Sequence, residues 1–337
     1  MRSIVRPRLF AILLALCFSS IGIRTATAAD WKMASGYPDN SYLTLNVREF
    51  LANVEKQTGG AIKVTLHNNQ SLVKLPDIAR AVQSNQVALG ELYAATLGNQ
   101  DPMFTLDAIP FLASDEASAK ALWSAQRPYF DTWFGKRGSR ILFAQFFPAQ
   151  CFFTQKPVTS VGDLAKVKLR IYSNETKRMG ELLHAQPLVV QFGEVPQAFA
   201  TGMIDGMFTS PQTGIDTQAW DFAKNYVHVG AMRTKLMVVV NEAAFKALPE
   251  ANQKALLAAA AAAEQRGLER GSEVTKEQLD TLAKRGIQVS QASSELLASL
   301  KAVGATMIDE WRKKADADQR KVLEAYEAKV SSPGGKK

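Results

Sequence analysis

The chain has 337 residues, 47% of them hydrophobic and 21% charged, which suits a globular protein of two domains at roughly 100–200 residues each. These proportions exclude a largely disordered chain and a multi-span membrane protein. The formal charge is +8, but Arg2, Arg6, Arg8 and Arg24 stand in residues 1–28 without an acid; the remaining +4, with no basic run interleaved with aromatics, gives no nucleic-acid footprint.

Residues 1–28 read as a secretory signal peptide. The arginines are followed by an apolar core, Leu9 to Phe18, and by the small-x-small sequence Ala26-Thr27-Ala28. The core is about ten residues, against roughly 20 for a spanning helix, so it is not a membrane anchor. Cleavage near Ala28 would place the mature chain in the periplasm and remove Cys17. Cys151, in the apolar run FFPAQCFF, is then the sole cysteine and reads as a buried, inert thiol.

Along the mature chain, Asn46 to Gln57 has helical spacing, with Val47, Phe50, Leu51 and Val54 on one face. Ala61 to Leu66 follows the turn signal Gly59-Gly60 and reads as a strand. A helix is predicted over Pro76–Gln86 and a strand over Val87–Tyr93. Further strands are predicted at Ile141–Phe147, Val167–Tyr172, Pro187–Val190 and Leu236–Asn241. Helices are predicted around Ala117–Phe134, Asn174–His184, Val195–Thr201 and Thr213–Lys224. Such alternation predicts α/β units with mainly parallel sheets. Glu250 to Arg285 is then almost unbroken helix former. Its alanine block, Ala258–Ala263, predicts a long helix packed closely on a sheet or another helix. Ser293 to Lys329 reads as a second helical stretch interrupted near Gly304. Residues 331–337 read as a frayed, disordered tail.

No catalytic or metal motif emerges. His67, His184 and His228 have no partner at ligand spacing, so no metal is expected. Nucleophile-elbow, P-loop and dinucleotide motifs are absent, so no cofactor is expected. Asp316 and Asp318 lie in an alternating-charge helix face that reads as solvated surface. Together with export and two α/β domains, this favours a ligand-binding protein over an enzyme.

Residues 160–211 carry a specific resemblance. Ser160-Val161-Gly162-Asp163-Leu164 through Lys168-Leu169-Arg170-Ile171 resembles the "D-L-K-G-x-K-I-R" segment of solute-binding proteins of tripartite ATP-independent periplasmic (TRAP) transporters, the DctP type. Pro187, Phe192-Gly193-Glu194-Val195 and Ala198-Phe199-Ala200-Thr201-Gly202-Met203-Ile204-Asp205-Gly206 resemble that family's "F-x-E-V-Y-x-A-L-Q-x-G-x-V-D-G". Ala247-Leu248-Pro249-Glu250, with Gln253, resembles its later helix start. The order of these pieces extends the resemblance over about residues 30–330.

The resemblance implies a two-domain periplasmic-binding-protein (Venus-flytrap) fold with a long bridging helix and a helical C-terminus. Domain one is expected at 30–147 plus 236–275, and domain two at 148–235 plus 276–330. The implied function is capture of a small organic acid in the interdomain cleft and its delivery to the small and large membrane subunits of a TRAP transporter. A sensory binding protein presenting the same ligand to a receptor is the alternative, and a secreted enzyme acting on a small acid is a weaker one.

By the resemblance, Arg170 matches the family's carboxylate-binding arginine, and a planar guanidinium suits a carboxylate through two parallel charge-assisted bonds. Phe192 matches an aromatic flooring the pocket and Glu91 an acid facing the cleft. Thr209 and Ser210 stand where many members carry Glu-Asn. Gln150 stands where members binding larger acidic sugars carry a second arginine. Lys74 is a candidate second cation. Tyr37, Tyr93, Tyr172, Phe153 and Trp220 add aromatic surface. Loss of the second arginine points to a monocarboxylate with an apolar or aromatic body.

Overall fold

The computed structural model describes residues 29–331, so the expected signal peptide and all but the first residue of the expected tail lie outside it. In chain order the elements are β1 (Ala29–Ala34), α1 (Tyr42–Gln57), β2 (Ile62–His67), α2 (Ile78–Gln83), β3 (Leu89–Tyr93), α3 (Glu116–Gly135) and β4 (Ser139–Phe146). The second sheet opens with β5 (Cys151–Thr154), β6 (Lys168–Ile171), α4 (Asn174–Leu182), β7 (Gln186–Val189), α5 (Val195–Ala200), β8 (Gly206–Thr209), α6 (Pro211–Asp216) and β9 (Asn225–His228). The chain ends with β10 (Lys235–Asn241), α7 (Glu242–Lys246), α8 (Glu250–Lys284), β11 (Gln288–Gln291), α9 (Ser294–Lys314) and α10 (Ala317–Ser331).

These strands form two sheets, ordered β2-β1-β3-β10-β4 and β11-β9-β5-β8-β6-β7. The expectation of mainly parallel sheets holds, with one reversed strand in each. In the first sheet β1 pairs parallel with β2 and β3, but β10 runs antiparallel between β3 and β4. In the second, β5 runs antiparallel between β8 and β9. The reason is topological. β4 leads directly into β5 and β9 into β10, so these strands leave one sheet and enter the other without a helix to reverse them.

The two crossing segments are joined. Phe147 N donates to Thr234 O at 2.9 Å, Gln150 N to Met232 O at 2.8 Å, and Ala231 N to Gln150 O at 3.0 Å. Helix α8 is the third link: it packs on α1 and β4 of the first lobe, then reaches α6 and β11 of the second. Its alanine block does the work expected of it, since Ala259, Ala260 and Ala263 are fully buried beside Phe143, Phe50 and Val47. Small side chains let the helix axis approach the sheet closely. The last span, 276–330, divides between the lobes: β11 joins β9, while α10 lies on α3 and Gln319 Nε2 donates to Asp101 at 2.9 Å.

Gly304 does not break the C-terminal helices. It lies inside α9, where any Cβ would run into the carbonyl oxygen of Pro110. The break falls at Ala315, whose ψ of 142° leaves the helix. Asp316 and Gln319 then cap each other's backbone N–H groups at 2.8 and 2.9 Å. The Asp316 face is therefore a helix start, not solvated charge alone.

Candidate functional site

Strand β6 enters the second sheet parallel to β7 and β8, with Arg170 paired to Leu188 and Met207. Its side chain turns to the seam between the lobes, 3% exposed. There Nε donates to Val190 O at 3.0 Å and the guanidinium stands 4.9 Å from the Tyr172 ring centroid. No other hydrogen bond or ion pair engages it among the described residues. Burial lowers its pKa to about 10, and the electron-rich tyrosines Tyr172, Tyr93 and Tyr37 oppose that shift, so it stays charged at neutral pH. A buried cation without a counter-charge is costly unless something supplies one.

The cavity beside Arg170 is lined by Tyr37, Leu75, Tyr93, Thr96, Phe147, Gln150, Tyr172, Gln191, Phe192, Thr209, Thr213 and Thr234. Its walls come from both lobes and from the two crossing segments. It leaves about 50 Å³ for the centre of a water-sized sphere, at about 10–15 Å³ per water the room of a handful of waters. Among the described residues, Arg170 is the sole charged side chain in the lining, and no carboxylate lines it. Tyr37 meets Phe147 and Phe192 edge to face, each at 5.5 Å, which makes an apolar wall. Tyr172 Oη donates to Gln150 Oε1 at 3.0 Å, which fixes the Gln150 amide with its NH2 toward Pro148 O and Thr234.

Of the residues singled out in the sequence, Arg170, Gln150, Phe192, Thr209, Tyr37 and Tyr172 meet at this cavity, with Tyr93 beside them. Five others, Glu91 among them, lie elsewhere. Ser210 is the N-cap of α6, its hydroxyl accepting from Thr213 N at 3.2 Å. Lys74 is exposed on the turn before Leu75–Asp77. Phe153 lies in the sheet core against Tyr226 at 4.9 Å and under Gly214. Trp220 packs beneath Arg285 at 5.0 Å. Sequence reasoning missed Leu75, Thr96, Phe147, Gln191, Thr213 and Thr234. Phe147 and Thr234 sit on the crossing segments, a location that periodicity cannot reveal, while Thr213 follows the Ser210-Pro211 helix start and could have been suspected from it.

Glu91 does not face the cavity. It sits in β3, a strand buried throughout, and is fully inaccessible behind Tyr37. Ser35 Oγ and Gln145 Nε2 donate to its two oxygens, each at 2.5 Å. Burial raises its pKa from 4.5 to about 7, against those two hydrogen bonds. Below pH 4.5 folded and unfolded chains both hold the proton and there is no penalty. As pH rises through 7 the unfolded chain gives it up more readily, so stability falls, by about 3 kcal/mol in full. Asp216, raised from 3.8 to about 7 by burial, pulls the same way. Urea unfolding between pH 5 and 8 should show declining stability, and Glu91→Gln should flatten the slope. An unchanged slope in that variant would assign the decline to other groups.

No helix among the described residues is long and apolar enough to cross a membrane. The family profile "Bacterial extracellular solute-binding protein, family 7" (DctP) matches residues 33–314. The fold is similar to the crystal structure of DctP7, a Bordetella pertussis extracytoplasmic solute receptor binding pyroglutamic acid, with TM-score 0.87 and 41% identity over 89% of this chain and 100% of that one. DctP6 of the same organism, also binding pyroglutamic acid, matches with TM-score 0.87 and 37% identity over the same shares. A marine metagenome TRAP solute binding protein from an unidentified microbe, specific for pyroglutamate, matches with TM-score 0.86 and 28% identity over 90% of this chain and 99% of that one.

Proposed function

The chain belongs to the bacterial extracellular solute-binding proteins of family 7, the DctP type of TRAP transporter, and we propose that its cleft captures a small cyclic monocarboxylate of the pyroglutamate class. In this reading the protein works in the periplasm. It holds the acid through Arg170 and hands it to the membrane subunits for uptake. The observation that carries the ligand class is the charge inventory of the cavity: one buried guanidinium and no acid in the lining. A single carboxylate neutralises it. A second carboxylate would be buried without a cation, and a ligand ammonium would be buried without an anion. The amine of pyroglutamate is tied up as a neutral lactam, so it meets both conditions. Three relatives at 28–41% identity bind that acid, which supports the assignment.

Calorimetry with pyroglutamate, proline and glutamate tests it. Proline keeps the ring but carries an ammonium; glutamate adds an ammonium and a second carboxylate. Pyroglutamate should bind and should raise the melting temperature, because a ligand that binds only the folded state stabilises it. The other two should bind at least about 100-fold more weakly, as expected for an unpaired buried charge. Comparable affinity for proline would mean that an anion not in the cavity wall pairs with its ammonium, and the charge argument would fail.

A further inference from the structure

Beside the free guanidinium nitrogens of Arg170, the cavity wall holds a buried hydroxyl that finds no partner among the described residues. Tyr93 ends β3 on the first-lobe side, 6% exposed, and its ring meets Tyr172 of the second lobe edge to face at 5.6 Å. Its hydroxyl is buried and has no hydrogen-bond partner among the described residues. Thr234 and Tyr172 stand beside it, close enough to bear on its proton, but neither reaches bonding geometry. Tyr172 spends its own hydroxyl on Gln150. Thr96, also in the wall, spends its hydroxyl on Tyr93 O at 2.6 Å. The hydroxyl protons of Tyr172 and Thr96 are therefore committed, while that of Tyr93 is not. Burial holds that hydroxyl in its protonated form, so it can donate. A buried donor left unsatisfied costs free energy unless a partner arrives.

We propose that Tyr93 is a specificity-determining residue whose hydroxyl donates to a second, neutral acceptor on the ligand, distinct from the carboxylate held at Arg170. The inference rests on the carboxylate reading above and narrows it. The ligand is a monocarboxylate that also carries a carbonyl or hydroxyl oxygen on the side facing β3. The ring carbonyl of pyroglutamate is such an atom. A site built to bond a polar atom rejects the analogue lacking it much more strongly than an apolar pocket rejects a missing methylene, because the protein's own group is left unpaired.

Tyr93→Phe removes only the hydroxyl, and two measurements of opposite sign read it. In the ligand-free protein the orphan is gone, so the melting temperature should hold or rise. In calorimetry, affinity for pyroglutamate should fall about ten- to hundredfold. Cyclopentanecarboxylate, which has the ring and the carboxylate but no second acceptor, should bind the parent at least about 100-fold more weakly than pyroglutamate, and Tyr93→Phe should narrow that ratio tenfold or more. A lower melting temperature in the ligand-free variant would mean that the hydroxyl has a structural partner, and would overturn the proposal. So would pyroglutamate affinity within about threefold of the parent, or an unchanged ratio between the two acids. If the parent protein binds neither acid, the carboxylate reading fails and this inference falls with it; that result comes from the parent alone, before the variant enters.

Discussion

Truncating Arg170 to alanine should cost the ligand about two to four decades of affinity, since breaking a buried charge pair by deleting one partner typically costs about 3–5 kcal/mol. The geometry makes this site unforgiving. Among the described residues Arg170 is the sole charged side chain in the cavity lining, and Val190 O already anchors its Nε. The remaining guanidinium nitrogens are thereby aimed as a planar fork. Arg170→Lys should lose most of the binding too, because a point charge cannot reproduce two parallel bonds. Gln150→Ala should cost much less, on the order of 0.5–1.5 kcal/mol for a neutral hydrogen bond. Calorimetry on the folded variants with pyroglutamate gives the order. Binding by Arg170→Lys within about threefold of the parent would place the carboxylate elsewhere.

The largest effect on stability should come from Lys235→Met. Lys235 opens β10 and is fully buried, with its Nζ 2.8 Å from Asp107 Oδ2 and its backbone N 3.0 Å from the same oxygen. The lysine and aspartate side chains are 1% and 2% exposed, and Asp107 Oδ1 has no hydrogen-bond partner. Removing the ammonium strands the carboxylate in the interior. The expected loss is about 3–5 kcal/mol, a large part of the 5–15 kcal/mol that typically holds a domain together. The midpoint of urea unfolding should fall without a change in slope. Adding Asp107→Leu should restore much of the loss, because an apolar pair of similar volume often equals or exceeds a buried ion pair. A single variant that loses under about 1 kcal/mol would show that the aspartate finds another partner.

How far the sequence foretold these features varies with the signal each residue leaves. Long periodic helices were legible: the expected 250–285 helix matches Glu250–Lys284. Strands β5 and β8, four residues each and buried on both faces, have no alternation to read. Gly304 misled because a helical glycine usually marks weakness, whereas here the Pro110 carbonyl leaves no room for a side chain. The true break carried a readable signal, the reciprocal Asp316 and Gln319 cap, hidden among charges that resembled a solvated face. At the cavity, Arg170 and Phe192 were legible through an extended motif. Glu91 shares a face of β3 with the cavity residue Tyr93, two positions on, but its carboxylate is taken up inside the first lobe by Ser35 and Gln145. The threonines of the lining belong to no motif and come together only through the topology.

The strand order has a consequence for how this chain acquires its structure. In the first sheet β10 lies between β3 and β4, although it follows β4 by nearly a hundred residues. When the first 150 residues leave the ribosome, β3 and β4 have no neighbour between them, and each presents an open edge. The first lobe therefore cannot close until the second has been synthesised, and pairings of such long sequence separation are slow to form. Stopped-flow refolding should show both lobes gaining protection together, late, in a single cooperative step. A fragment ending near residue 150 should remain unfolded and prone to aggregate.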